Sequence, residues 1–339
     1  MVYNRPKPPE RNNPKVSDNS SLYSIIAKSL VNGELPFEFS LPDTSAEEGK
    51  PKWADGAEDG VMIFHMAPGV PAEEDFELMG RAVFAASDKN FDLADELFAQ
   101  LGKKQRAVRL IDYLQRYVID NRDKLNPGSI FEYSYRVVKE SSDKETVKFG
   151  MSLLELLNTD VHPEVKDTIR TIGLSDEFTI FAVFLARTWT DGNNEVFQLA
   201  KKVRGWGRIH AIERLVPDTE EIKRWLLLDG VHNSIMYSYS AIDCWAGSGA
   251  AEVLKKGPTR EEFTGIRDII EGLCDEGPVK GLSVVENAEE YILLFLKAAR
   301  DFELDDYDRR IIREIKVFYE DNDHPNKDIA YICGQIAQS

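Results

Sequence analysis

From Ala72 onward the apolar residues recur at three- and four-residue intervals, and helical segments follow one another with no strand-like segment between them. In RAVRLIDYLQRYV, Val108, Ile111, Leu114 or Gln115, and Val118 fall on one face. Short polar breaks such as SSDK, TDGNN and DNDHPN separate about fifteen such segments. Connections this short make successive helices antiparallel neighbours. The pattern therefore predicts an all-α chain, built as a helical bundle or as an array of helical hairpins.

The segment before it reads differently. Residues 1–20 are polar and proline-rich, and are expected to form a disordered tail. Residues 21–75 form an irregular N-terminal segment. SLYSIIAKSLVNG reads as a short helix capped by Ser20 or Ser21, with Gly33 as its stop. PFEFSLP and VMIFHM are short apolar runs bounded by turn residues, so they read as the two strands of a β-hairpin. Residues 76–339 make the α-helical repeat domain. Its 15-residue-scale segments include NEVFQLAKKVRGWGRIHAIERL, which reads as one continuous helix.

A repeat is visible at two places. VKDTIR and VRGWGR share a Val-basic start and a closing arginine, roughly one two-helix repeat of about 40 residues apart. Asp160, Pro163, Val165 and Lys166 resemble the turn and second-helix start of HEAT-like repeats. The resemblance implies an α-α superhelix, a degenerate HEAT or armadillo-like array of helical hairpins. It covers residues 150–215 best, and the second copy lacks the Asp-x-x-Pro turn.

The stretch VRGWGRIHAIERL carries the strongest functional question. A dinucleotide fingerprint needs a third glycine and a preceding strand. Here His210 stands where the third glycine would be, and the charged LAKKVR precedes the turn. One reading of the stretch is packing: Trp206, Ile209, Ile212 or Glu213, and Val216 form a stripe, with glycines beside a large ring. The other is an anion site. Lys201, Arg204 and Arg208 share one face of the expected helix, with His210 and Arg214 on a neighbouring face. Trp225, Tyr237, Tyr239 and Trp245 cluster near Trp206 in sequence and either line a groove for a peptide or an apolar ligand or lie in the core. Intramolecular pairing competes with this reading, because 59 acidic residues are available.

Other chemistry is thin. The five histidines, His65, His162, His210, His232 and His324, show no zinc-peptidase or di-iron spacing. His162 and His324 each precede a proline at an expected helix start, which suits capping. There is no GxSxG motif; Ser248 lies between glycines and reads as the cap of the helix that follows. Cys244, Cys274 and Cys333 are widely spaced in apolar stretches and read as buried thiols. The many paired carboxylates sit mostly in first helical turns. DNDHPNKD lacks the glycine and closing glutamate of a calcium loop. The motifs name no metal and no cofactor.

GWGRIHAIERL and EEIKRWLLLDG also resemble bacterial proteins labelled limonene hydroxylase. That resemblance implies an oxygen-inserting enzyme. Neither a haem thiolate loop nor ExxH pairs accompany it here.

The net charge of −17 repels nucleic acid and anionic membrane surfaces. No stretch approaches the roughly 20 apolar residues of a bilayer span, and the first residues lack the apolar core of a signal peptide. The expected compartment is the cytoplasm. The expected function is that of a non-catalytic interaction or scaffold protein of bacterial type, binding a protein, peptide or anionic ligand in a helical groove. Its expected binding residues are Lys201, Arg204, Trp206, Arg208, His210, Arg214 and Trp225. The alternative is an enzyme whose pocket is assembled from distant helices. A weaker alternative is a HEAT-like nucleic-acid binder.

Overall fold

The computed structural model describes residues 20–42, 53–67, 69–277, 279–320 and 325–338. Among them the regular elements are all helical, eighteen α-helices with no strand. The first eight are α1 (Leu22–Ser29), α2 (Ala57–His65), α3 (Glu73–Ser87), α4 (Phe91–Lys104), α5 (Ile111–Asp120), α6 (Pro127–Glu140), α7 (Lys144–Leu154) and α8 (Pro163–Ile172). Next come α9 (Thr179–Ala186), α10 (Gly192–Ala200), α11 (Trp206–Arg214), α12 (Glu220–Trp225) and α13 (Ser238–Ser248). The last are α14 (Ala250–Lys256), α15 (Arg260–Cys274), α16 (Ala288–Ala299), α17 (Asp306–Glu320) and α18 (Lys327–Ile336). The all-α expectation holds, and the arrangement is compatible with a helical repeat fold.

The helix starts follow local chemistry. Asn126 and Asp143 accept backbone N–H groups from Ser129 and Thr146, at 3.1 and 2.7 Å. Pro127 and Pro163 occupy first-turn positions, where their missing N–H costs nothing. Thr259 and Glu262 close a reciprocal capping box at the start of α15. His162 holds the N-cap position of α8, but its side chain makes no capping bond; Nδ1 lies 3.3 Å from Glu164 Oε1 instead. Ser248 is the last residue of α13, not the cap of α14: the N-cap there is Gly249, in the left-handed region at φ +74°, and Ser248 Oγ accepts the Ala250 N–H from the residue before it at 3.3 Å.

Two expectations about local structure are corrected. VMIFHM is the end of α2, not a strand. PFEFSLP makes no strand either; the nearest pairing is an isolated bridge between Val31 and Glu34. A short apolar run fits a buried helix as well as a strand. Here Gly56, at φ +73°, turns the chain, and Glu58 and Asp59 supply first-turn acids. The second correction is that 194–215 is two helices. α10 ends at Ala200 and α11 begins at Trp206. The expected tail at residues 1–19 and the residues 321–324, with the expected capping role of His324, lie outside the described residues.

The chain forms two compact units. One comprises residues through Asp55 together with Val70–Ser175; the other comprises Gly56–Gly69 together with Asp176–Ser339. In the first, α3 pairs with α4 and α6 with α7, and the hairpins stack, α3 on α6 and α4 on α7. Phe98 of α4 meets Tyr133 of α6 and Phe149 of α7 at ring-centroid distances of 5.8 and 5.2 Å. In the second, α11, α13, α15 and α17 pack in succession, while α14, α16 and α18 form a neighbouring row. Phe263 of α15 lies flat on Phe295 of α16 at 4.6 Å. No described helix is long and apolar enough to cross a membrane.

The first unit buries an ionic cluster. Glu145 binds Lys148 at 3.0 Å and Arg106 at 2.9 Å, and accepts the Ala107 N–H at 2.6 Å. Lys148 is wholly buried and Glu145 nearly so. Removing one member of a buried ionic set leaves its partners desolvated, at about 3–5 kcal/mol. Glu145→Ala is therefore expected to lower urea-unfolding stability by about 3 kcal/mol; a loss under about 0.5 kcal/mol, typical of a surface change, would refute the role.

Candidate functional site

The second unit answers the question posed by VRGWGRIHAIERL. Gly205 and Gly207 flank the start of α11, where Asp176 approaches. Asp176 Oδ1 accepts the Gly207 N–H at 3.0 Å. A Cβ on Gly205 would lie 2.1 Å from Asp176 Oδ2, and one on Gly207 2.3 Å from Thr179 Oγ1. The glycines are small because a carboxylate and a threonine pack against their backbone. Asp176 also puts a negative charge where an external anion would bind the helix N-terminus.

Trp206 is buried by the same logic. Its ring covers Gly60 of α2, where a Cβ would fall 2.3 Å from the ring. Phe64 and Tyr239 lie against it at centroid distances of 5.9 and 4.9 Å. His210 stacks on Phe64 and Trp206, at 6.0 and 6.2 Å. Neither ring nitrogen of His210 has a hydrogen-bond partner, and Nδ1 stands 3.8 Å from Glu213 Oε2. Burial holds its pKa below the ordinary histidine value, so the ring is a neutral aromatic plate.

The expected cations do not share a helix face, because the chain breaks between Lys201 and Gly205. Lys201 sits over the Phe197 ring at 4.2 Å and lies 4.0 Å from Glu221. Arg204 is exposed on the connection, and its carbonyl accepts the Ser234 N–H at 2.7 Å. Arg208 is buried; it binds Asp229 Oδ2 at 2.7 Å and lies 4.9 Å from the Trp225 ring centre. Arg214 pairs with Glu213 and covers Phe184 at 4.7 Å. Trp225 is half-buried, edge-on to Phe197. The structure thus brings Trp206 with His210, and Arg208 with Trp225, and seats Lys201, Arg208 and Arg214 beside carboxylates.

Arg208 is the first link of an ionic chain that the sequence does not announce. Asp229 Oδ1 contacts His232 Nδ1 at 3.3 Å, and His232 Nε2 contacts Asp268 Oδ2 at 2.9 Å. Asp268 accepts from Arg267 Nε at 2.8 Å; Arg267 Nη1 donates to Asp308 Oδ1 at 2.8 Å; Arg260 Nη2 donates to Asp308 Oδ2 at 2.6 Å. Signs alternate along the whole chain. His232 is raised to about 9 by its bonds to Asp229 and Asp268, which outweigh burial, so at neutral pH it is a cation donating from both nitrogens. Asp229 is held well below the usual carboxylate range by His232 and Arg208, against burial.

Beyond this chain lies a cleft of about 820 Å³. It is lined by Met236 and Tyr237 ahead of and at the start of α13, Glu271 to Glu276 around the end of α15, and Tyr307, Arg310, Glu314, Val317 and Phe318 of α17. The Tyr307 hydroxyl donates to Glu271 Oε2 at 2.5 Å, and Arg310 binds Glu271 and Glu314 at 2.8 Å each. Arg267 and Arg310 each lie 4.4 Å from the Tyr307 ring centre. Tyr237 touches the His232 ring at 5.4 Å, which joins the cleft to the ionic chain. A second cleft, about 200 Å³, opens between α11 and α13 beside Glu213 and Asp243. Burial and the nearby Glu213 push Asp243 up to about 6.

Of the cleft residues, sequence reasoning singled out Tyr237 as a groove candidate and Cys274 as a buried thiol. The carboxylates at 271–276 and 314 were lost among many others. Among the described residues no group of three or more histidine, cysteine or carboxylate side chains could hold a metal ion. No family model, curated protein or solved structure matches this chain. The likeness to proteins labelled limonene hydroxylase therefore gains no support from relatives.

Two outcomes follow from this geometry. Gly207→Ala gains about 1 kcal/mol of helix propensity but is overpacked against Thr179 and Asp176, which costs about 1–3 kcal/mol. A net fall in thermal stability is expected; an unchanged or raised Tm would remove the close-approach argument. His232 is the pH-sensitive link. Its folded value of about 9 exceeds the unfolded value of about 6.5, so its stabilisation is complete below pH ~6.5 and is lost as pH rises through ~9. Tm measured from pH 6 to 10 should fall across that window in the wild type, with a flatter profile in His232→Gln. Parallel profiles would contradict the charged-histidine assignment.

Proposed function

We propose that this chain is a non-catalytic interaction module, and that a protein or peptide partner docks in the cleft bounded by α13, α15 and α17. The observation that carries this reading is the cleft itself. It has an open mouth, a volume of the size that accepts side chains of a partner, and walls of tyrosine, phenylalanine and methionine edged by charge. Aromatic and methionine side chains on a rigid helical row are suited to anchoring a partner. The stacked rows of helices support the further reading that the chain is a degenerate superhelical array of the HEAT kind, since such arrays present long grooves built from successive repeats.

An anionic ligand at α11 is the less favoured site. Lys201, Arg208 and Arg214 lie beside carboxylates of the chain, and Asp176 occupies the helix N-terminus. A soluble cytoplasmic setting fits a helical chain with this surface charge, and nucleic acid fits it poorly.

The test is a selection from a random peptide library on the purified chain, with Val317→Trp as the counter-target. Val317 lines the cleft and is 65% exposed, so the larger ring narrows the mouth without entering the core. Peptides enriched on the wild type and lost on Val317→Trp are expected. Enriched peptides that bind both proteins equally, or no enrichment at all, would overturn the reading.

A further inference from the structure

The cleft is chemically one-sided. Glu271, Asp275, Glu276 and Glu314 line it, and Arg310 is the cation facing them. Arg310 divides its guanidinium between Glu271 and Glu314. Asp275 receives the Ser238 hydroxyl at a long 3.4 Å, and Glu276 accepts the Gly281 and Ser283 N–H groups through Oε1. Among the described lining residues, Glu271, Asp275 and Glu314 outnumber the Arg310 guanidinium they face, which leaves the cleft negative, and low-dielectric walls concentrate that field. Glu314 is raised by burial and by Glu271 and Asp275 despite its contact with Arg310. The Tyr237 phenol is raised by burial and by Asp268 and Glu271.

The chain itself illustrates which cation such walls accept. Arg267 and Arg310 both set their guanidinium groups over Tyr307, while their N–H groups reach carboxylates at 2.8 Å. A planar guanidinium satisfies ring and carboxylate at once, which a compact ammonium does less well. Tyr237 and Phe318 line the same cleft as Asp275 and Glu314.

We propose that the α13–α15–α17 cleft binds an arginine-bearing segment of a partner protein, its guanidinium seated between the cleft's aromatic rings and the Asp275 and Glu314 carboxylates. This deepens the interaction-module reading and rests on it. It adds the partner's chemistry: basic, planar in its charged group, and excluded if acidic. It also makes the ionic chain a positioning device, since Arg267 lies 4.4 Å from the Tyr307 ring and the His232 ring lies 5.4 Å from that of Tyr237.

The experiment measures fluorescence anisotropy with labelled short peptides of alternating glycine and arginine, and their lysine and glutamate counterparts, on the full chain. The arginine peptide is expected to bind, more weakly as salt rises, with the lysine peptide behind it and the glutamate peptide inert. Asp275→Asn combined with Glu314→Gln should weaken the arginine peptide by about tenfold or more, with an unchanged thermal unfolding profile as the folding control. If that double variant unfolds, the salt series and the three-peptide ranking on the wild type decide alone. Equal binding of the arginine and glutamate peptides, or no loss in a folded double variant, would overturn the proposal. Library peptides that need an open cleft yet carry no arginine would also overturn it, while leaving the interaction module standing.

Discussion

The second unit depends on a line of alternating charge that runs from Arg208 through Asp229, His232, Asp268 and Arg267 to Asp308 and Arg260. Arg208, Arg267, Asp268 and Asp308 are nearly or wholly buried. Buried charges persist only when paired and hydrogen-bonded, and each member here has both. The line crosses from α11 through the π-helical turn at Leu226–Gly230 to α15 and α17, so it ties together helices that are remote in sequence. Close packing already limits how neighbouring helices slide, and paired charges at fixed spacings add to that limit, because a slip leaves a buried charge without a partner.

The same unit explains why its glycines and its tryptophan occur together. Gly60 admits the Trp206 ring, Gly205 and Gly207 admit Asp176 and Thr179, and Gly265 brings the backbone of Leu227 against α15. Each approach is too close for a Cβ. His210 lies within this packing as a flat neutral ring between aromatic partners. An arginine, a histidine and a tryptophan clustered in sequence thus divide in space: Arg208 joins the ionic line, and Trp206 and His210 join the aromatic nest on α2.

Position in the fold also decides what the carboxylates do. Asp229, Asp268 and Asp308 neutralise internal cations, and Asp176 closes a helix start. Those lining the larger cleft exceed the cation they face, and this surplus is what gives the cleft a preference of sign. The functional reading follows from the surplus rather than from the chain's overall acidity, because a net charge of −17 spread over 339 residues selects no particular place.

Helix order and type were legible in the sequence because period and capping are local. Glu73–Ser87, Pro163–Ile172 and Arg260–Cys274 all stand where the apolar spacing or a first-turn proline put them. VMIFHM was not legible, since a six-residue apolar run carries no decisive period, and neither was the break at 201–205, since LAKKVRG continues a helical pattern across it. The composition also determined that cations would mostly find acids nearby. Only the tertiary structure decided which acids. Asp229 in the π-helical turn, Asp268 within α15 and Asp308 in the first turn of α17 are ordinary acids until packing sets cations beside them, and Tyr237, Glu271 and Glu314 meet only where α13, α15 and α17 do. Pairing and cleft formation depend on distances between helices, and a one-dimensional pattern of side chains carries no information about which helices will be neighbours.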